Sequence, residues 1–410
     1  MNNQYIIILN DFRSFPIFSA LSIAKLHGKK KICFVYSKRF TGAKEYGQNL
    51  PEWYKKAKIY FIKIFYKVVE APKLSDEYLN TSMKVGIDSS LQSITCDSGS
   101  TSNNYPFLYE NLKQQAIGSN EVSKYILGLK TKPNCVYLFN GRTASSSSIT
   151  FALHLSKICL NYYEFALKPN GFLLFPFPCH NTLRIGKELF KLWKNAIISN
   201  PILFKKGLNF ENEKLNNIYS KYYSEEALDY YDIVVFLSSD HEYTNLQEEI
   251  IEIQFIKNNE LLDYVINKYG VDKKIAVRAH PNQSNDPNHN VALNPIIEKC
   301  NKFGFYFFHP KSRISSYDLI KNSSLVVVGL SSIAYDAVFL GAKVDIVGNV
   351  ALKSIINSLP EIIKEDVREI KVLSREISSL AEDLCFNKYP NIFINILARL
   401  FSFVERKYLN

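Results

Sequence analysis

Two apolar runs in this chain end in polar residues of a particular kind, and no other feature narrows its fold as much. Val277 leads into Arg278-Ala279-His280-Pro281-Asn282, and about fifty residues later Val326-Val327-Val328 leads into Gly329-Leu330-Ser331-Ser332. Each reads as the carboxyl end of a buried parallel strand. In open α/β sheets ligands bind in the crevice at those ends. One strand brings an imidazole and a guanidinium there, and the other brings two hydroxyls at a helix start. That set suits an anionic, phosphate-bearing ligand.

The rest of the chain alternates in the same way. Tyr5 to Leu9 is a short apolar run followed by Asn10-Asp11. Pro16 to His27 has helical periodicity and stops at Gly28, and Lys31 to Tyr36 is the next strand. This βαβ opening implies a parallel sheet with right-handed crossovers. It lacks the GxGxxG dinucleotide fingerprint. Ser89 to Tyr105, rich in Ser, Thr, Asn and Gly, reads as a mobile loop. Cys135 to Phe139 is a strand ending in Asn140-Gly141-Arg142. Ser145 to Ser148 offers N-cap hydroxyls to a helix running to about Ile158. A strand over Leu160 to Tyr163 ends in Glu164, and Phe204 to Tyr231 reads as a polar helical connection.

The alternation then restarts. Strand Ile233 to Leu237 ends in Ser238-Ser239-Asp240. Helix 258–269, strand 274–277, helix 292–303, strand 305–308, helix 316–321, strand 325–328, helix 332–340 and strand 343–347 follow. The expected class is α/β, with two facing Rossmann-like domains built on parallel sheets. The expected boundaries are 1–225, 226–388, and a terminal helical stretch 389–410 that packs back toward the first domain.

At 410 residues, 47% hydrophobic and 22% charged, the chain has ample core for two domains and is not of disordered composition. Seven scattered cysteines form no CxxC or Cys/His spacing, which points to a reducing compartment and no structural metal. The first residues lack the basic region of a secretory signal, and no apolar window is long enough to span a bilayer. The expected location is therefore the cytoplasm.

The net charge of +11 admits a nucleic-acid surface. The lysines are dispersed, however, and no aromatic-glycine signature accompanies them, so nucleic acid is not the expected partner. The exception to that dispersal is Trp53 to Lys67, where five lysines interleave with aromatics and isoleucines. As a helix it fits an anionic bilayer surface. It equally fits a core-packed helix with snorkelling lysines.

His280 precedes Pro281, which keeps the strand end extended. Its imidazole is suited to donating to a phosphate or protonating a leaving one, or else to being satisfied by a backbone carbonyl. Ser331 and Ser332 start the helix that carries Asp336. Ser332 and Asp336 share a face, and Asp336 is placed to hold a ribose hydroxyl. The alternative is that the serines are caps alone and Asp336 serves the helix dipole.

These residues also carry a resemblance. Asn140-Gly141-Arg142, Phe236 through Tyr243 (Phe-Leu-Ser-Ser-Asp-His-Glu-Tyr), Val277 through Asn282, Ser315-Ser316-Tyr317-Asp318-Leu319-Ile320 and Gly329-Leu330-Ser331-Ser332 occur in order. Together, over roughly Cys135 to Gly348, they resemble the bacterial capsule polysaccharide biosynthesis family of glycosyltransferase-like proteins. The His-Pro and Ser-Ser pairs are also similar to those of bacterial sialyl- and Kdo-transferases, which use CMP-activated sugars. A similar His-Pro occurs in CDP-glycerol phosphotransferases of teichoic acid synthesis.

The resemblance implies a GT-B-like, metal-independent glycosyltransferase with no cofactor. Its nucleotide-sugar donor would be CMP-linked and held by the second domain, with His280, Ser331 and Ser332 on phosphate. Arg278, Asn282, Ser238, Ser239, Asn140 and Arg142 would join the substrate-binding set. Asp336 and the Ser315-Ser316-Tyr317 loop would contact ribose and base. A glycan or lipid-linked acceptor would sit on the first domain, with peripheral contact to the inner membrane face or a capsule assembly complex.

One departure stands out. The acidic pair followed by glycine that carries the base in sialyltransferases has no match. Glu164, in Tyr163-Glu164-Phe165, and Asp11 are the candidate bases, Glu164 first. Two other readings remain: a CDP-polyol phosphotransferase sharing the donor site, and a non-catalytic glycan-binding partner in capsule assembly.

Overall fold

The computed structural model describes residues 5–42, 50–74, 78–95, 97–165, 171–178, 180–181, 183–184, 187, 229–243, 256–281, 283, 292–331, 333–340, 342–348 and 386–388. The expected helical connection 204–231 lies outside them up to residue 228, with Tyr231 already in a strand, and the terminal stretch 389–410 lies wholly outside them, as do Asn282, Ser332 and Gly341.

The first domain is a sheet with helices on its faces. Its strands are β1 (Tyr5–Ile8), β2 (Ile32–Tyr36), β3 (Lys67–Glu70), β4 (Cys135–Phe139), β5 (Leu160–Phe165) and β6 (Gly171–Phe175), ordered β3-β2-β1-β4-β5-β6. All neighbours are parallel up to β5; β6 returns antiparallel. β2 and β4 are unbroken apolar runs buried along their whole length. That pattern marks strands covered on both faces. The covering helices are α1 (Ser14–His27), α2 (Lys38–Gly42), α3 (Glu52–Phe65), α4 (Thr81–Thr95), α5 (Pro106–Leu127) and α6 (Ser147–Leu155). α1 stops at Gly28 with φ +81°, and α5 starts on Pro106, each residue in the position its backbone favours.

The second domain repeats the plan. β7 (Tyr231–Phe236), β8 (Ile275–Arg278), β9 (Tyr306–Phe308), β10 (Ser323–Val328) and β11 (Lys343–Ile346) are ordered β11-β10-β7-β8-β9, all parallel. Helices α7 (Asn258–Tyr269), α8 (Asn294–Phe303), α9 (Ser316–Lys321) and α10 (Ile333–Phe339) connect them. Val234, Val235, Val277, Val326 and Val327 are fully buried at its centre. A further strand, β12 (Phe386–Lys388), pairs antiparallel with β6, so the chain has returned to the first sheet by Phe386. The molecule is thus α/β with two Rossmann-like, parallel-dominated domains, as the strand pattern predicts. No helix among the described residues is long and apolar enough to cross a membrane.

The domains face each other. α4 packs on a 3₁₀ turn at Asp240–Glu242, just past β7. Beside it, Asp97 Oδ1 accepts from the Ala292 amide at 3.3 Å.

Three local expectations are corrected. Ser89 to Thr95 is the end of helix α4 rather than loop. Ser89 and Ser90 are buried, and Ser90 Oγ accepts from the Ala144 amide at 2.8 Å. The hydroxyls that suggested a loop join α4 to the segment before α6. Ser145 to Ser148 do not cap α6 through their side chains. Ser147 Oγ donates to Ser82 O at 2.6 Å, and Ser148 Oγ pairs with Ser82 Oγ at 3.1 Å, so both turn to α4. Glu164 lies within β5 rather than beyond it, because the β5–β6 ladder extends the strand to Phe165.

Gly141, directly after β4, has φ +97°, and a Cβ there would lie 2.6 Å from Tyr162 Cε1. Gly28 shares the left-handed backbone, at φ +81°, but has nothing within 4 Å. Gly141→Ala is expected to cost about 3 kcal/mol, through backbone and overpacking together. Gly28→Ala is expected to cost about 1 kcal/mol. Urea unfolding of both variants checks the order.

Candidate functional site

In both sheets the strand order runs 3-2-1-4-5 by position along the domain, so it reverses between the first and fourth strands. These topological switch points lie between β1 and β4 and between β7 and β10. There the connections leave in opposite directions and open a crevice. Each crevice is a real cavity lined by strand-end residues.

The second-domain cleft has a volume of about 850 Å³ and takes in Arg278, His280, Pro281, Lys311, Arg313, Ser315, Ser316, Tyr317, Ser331 and Asp336. The His280 imidazole is fixed through Nδ1, which lies 2.8 Å from Ser239 Oγ at the end of the neighbouring strand β7. Burial, and then the positive charge of Arg278, hold its pKa below the ordinary 6.5. His280 therefore stands neutral at pH 7, and an arriving phosphate would draw a proton onto it.

Arg278 braces the cleft wall. Its guanidinium donates to the main-chain carbonyls of His309 and Ser312, the latter at 3.2 Å, in the loop after β9. That loop carries Lys311 and Arg313, both exposed and both on the cleft. Ser315 caps α9, its Oγ accepting from the Tyr317 amide at 3.2 Å. Tyr317 OH reaches Asp336 Oδ2 at 3.4 Å across the cleft floor. Ser331 Oγ accepts from the Ile333 amide at 3.4 Å, capping α10. Ser238 does not line the cleft. Its main chain is clasped by the Asn258 side chain, at 2.8 and 3.0 Å, which fixes the end of β7.

The first-domain pocket, of about 230 Å³, is lined by Asn10, Asp11, Arg13, Gln115, Phe139, Asn140, Arg142, Thr143, Ser145, Glu164 and His180. It brings together the two candidate bases. Asp11 is ion-paired with Arg13, whose Nε lies 3.0 and 2.8 Å from its two oxygens. Glu164 Oε2 accepts from Asn140 Nδ2 at 2.7 Å. Asn140 itself has φ +65°, which aims its side chain back at β5. Behind both carboxylates stands Tyr163, fully buried, its hydroxyl held in the protonated form by burial and by the charges of Asp11 and Glu164. Arg142 Nη2 donates to Ser93 Oγ of α4 at 2.7 Å.

One residue feels a lining residue of each cavity. His241, in the 3₁₀ turn after β7, is buried and lies within electrostatic reach of both Arg142 and His280. Burial first, then Arg142 and any proton taken up by His280, lower its pKa to about 4. His241 belongs to the quoted Phe236 to Tyr243 motif, yet nothing in that motif marks it as interdomain. Lys311 and Arg313 had a usable signal, two basic residues directly after a strand end. His180 had none; burial and Arg142 hold it well below the ordinary histidine value.

No family model and no curated protein matches the chain. Among solved structures it is similar to the beta Kdo 2,7 transferase KpsC of Thermosulfurimonas dismutans, with 15% identity over 62% of this chain and 80% of that chain and a TM-score of 0.36. It is also similar to UDP-GlcNAc 2-epimerase of Neisseria meningitidis bound to UDP-GlcNAc, with 12% identity over 94% and 99% and a TM-score of 0.24. Alr3699/HepE of Anabaena in complex with UDP matches at 10% identity over 98% and 100%, with a TM-score of 0.26. At these scores the likeness assigns no chemistry to this chain.

Asp240 offers a test of the interdomain turn. Burial pushes its carboxyl up to about 7, although Oδ2 accepts from the Asn258 amide at 3.1 Å. A carboxyl with a raised folded pKa contributes stability that is full below its ordinary 3.8 and lost as pH rises through 7. Asp240→Asn keeps an acceptor and removes the titration. The variant is expected to match the wild type near pH 4 and to exceed it by about 1–3 kcal/mol at pH 8. Denaturant midpoints measured across that range check the sign.

Proposed function

We propose that this chain is a glycosyltransferase that takes a nucleotide-activated sugar in the second-domain cleft and a glycan or lipid-linked acceptor in the first-domain pocket, in the synthesis of a bacterial surface polysaccharide. The observation that carries the proposal is the pairing of the switch-point cavities. A phosphate-type set (His280, Lys311, Arg313, Ser331) lies on one domain and a carboxylate-bearing pocket (Glu164, Asp11) on the other, with His241 between them.

In this reading the donor's base and ribose lie along Ser315, Ser316, Tyr317 and Asp336, and its phosphate meets His280, Ser331 and the basic loop. Glu164 takes the acceptor hydroxyl proton as that oxygen attacks the anomeric carbon. The bond to the nucleotide phosphate breaks, and the developing negative charge falls to His280, Lys311 and Arg313. Glu164 ranks above Asp11 on geometry. Asp11 already spends its oxygens on Arg13, and taking a substrate proton would break that ion pair. Glu164 sits on β5 with one oxygen on the Asn140 amide, in the wall of the pocket. CMP-linked donors come first on the motif resemblance.

Calorimetric titration with CMP, CDP and UDP identifies the nucleotide, and release of that nucleotide from its sugar conjugates tests turnover. His280→Ala is expected to lower turnover by on the order of 10²–10⁴ with a smaller loss in nucleotide affinity. Glu164→Gln should keep donor affinity and lose transfer, while Asp11→Asn retains more of it. Binding of a nucleotide without turnover of any conjugate, with a folded acceptor pocket, would sink the enzyme reading in favour of a glycan-binding role.

A further inference from the structure

Helix α3 buries two lysines beside Tyr54, Ile59 and Ile62 and leaves large apolar side chains in solvent. Its lysines Lys55 and Lys58 are buried, whereas Trp53, Tyr60, Ile64 and Phe65 are 59%, 71%, 73% and 38% exposed. The buried ammonium groups are matched by polar partners. Lys58 Nζ donates to Phe12 O at 2.7 Å, lies 3.5 Å from Ser14 Oγ, and sits 4.5 Å above the Tyr54 ring. Lys55 Nζ reaches Phe40 O at 3.5 Å. The snorkelling arrangement, with lysine heads outward, therefore does not describe Lys55 and Lys58, although Tyr54, Ile59 and Ile62 do face inward.

The outward face repeats at helical spacing: Trp53, Lys56, Ala57, Tyr60, Lys63 and Ile64 are all exposed. Lys63 Nζ lies over the Tyr60 ring at 5.6 Å, and Lys29 Nζ over the Phe65 ring at 5.1 Å. Lys67 is exposed at the start of β3, the edge strand that follows directly. The one acidic residue in the helix, Glu52, pairs with Lys56 at 2.8 Å. This face thus combines indole, phenol and aliphatic side chains with unbalanced positive charge, on a protein of net charge +11.

We propose that the exposed face of α3 docks on an anionic lipid bilayer. Trp and Tyr favour the headgroup level, where an apolar body and a polar tip are both accommodated. The lysines around them draw the helix to a negative surface. A protein interface core, by contrast, is depleted in lysine. The inner end of the helix places this face relative to the pocket, because Lys58 holds the main chain at Phe12, between Asp11 and Arg13 of the first-domain cavity. A docked α3 would present that cavity near the membrane surface. The docking does not depend on the reaction or donor assigned above.

The test is flotation of the full chain with vesicles of phosphatidylcholine alone and of phosphatidylcholine mixed with phosphatidylglycerol. Binding is expected only to the mixed vesicles and should weaken as salt is raised. Lys56→Glu/Lys63→Glu should weaken it by about a hundredfold or more. Trp53→Ser/Ile64→Ser should weaken it by about tenfold or more at unchanged charge. Circular dichroism confirms that these surface variants fold. As a readout independent of those variants, Trp193→Phe leaves Trp53 as the sole indole, and its emission should shift to the blue on mixed vesicles alone. Equal binding to both vesicle types, no binding to either, or retention by both double variants would overturn the proposal. So would a concentration-dependent dimer in light scattering that Trp53→Ser/Ile64→Ser abolishes, since the face would then join two copies of the chain.

Discussion

A parallel sheet buried on both faces has only its strand ends to offer to a ligand, and in this molecule that constraint is applied twice. Each sheet reverses its strand order at the centre, so helices leave the two central strands toward opposite faces. The space between them cannot be filled by either connection. Much of the polar lining of the candidate site comes from strand ends or a few positions beyond them: Asn10 and Asp11 after β1, Asn140 and Arg142 after β4, His280 after β8, Ser331 after β10, with Ser239 after β7 behind His280. The cores beneath these residues are apolar, rich in valine, isoleucine and leucine. The crevice therefore follows from the topology, and side chains decide only what it binds.

The two cationic roles in the second-domain cleft are divided by burial. Arg278 is shielded from water and gives its donors to backbone carbonyls, which hold the loop after β9 in shape. Lys311 and Arg313, on the loop so held, keep their charge in solvent at the cleft. A buried guanidinium is costly unless it is hydrogen-bonded, and the loop carbonyls meet that requirement at both terminal nitrogens, while Nε is left without a partner. His280 is positioned by the same logic, through a hydroxyl on the adjacent strand. The exposed charge of the site is thus carried by Lys311 and Arg313.

Strand ends were the most legible part of the sequence, because a switch from β-branched residues to Asn, Asp, Ser or His is a local signal. α7 and α9 have the boundaries that their periodicity predicts. Legibility failed where long-range contacts reverse a local preference. Ser90 and Ser93 of α4 looked like loop residues because their partners, Ala144 and Arg142, lie about fifty positions away. Glu164 looked like a strand terminus because the ladder that extends β5 is supplied by β6. The lysines of α3 looked solvent-facing because their acceptors, the carbonyls of Phe12 and Phe40, belong to other segments. His241 and His180 take their surroundings from Arg142, far from both in the chain, and composition carries no trace of it.

The antiparallel pairing of β12 with β6 has a consequence for the order in which the protein is made. β6 ends at Phe175 and its outer neighbour begins at Phe386, with the whole second sheet encoded in between. On the ribosome, five parallel strands and β6 emerge first, and the outer edge of β6 waits for some two hundred further residues before its hydrogen bonds are met. An open edge of this kind is a template for pairing with other chains. Each nascent molecule passes through a stage in which its first domain is assembled but unsealed, and the speed of translation across the second domain sets how long that stage lasts.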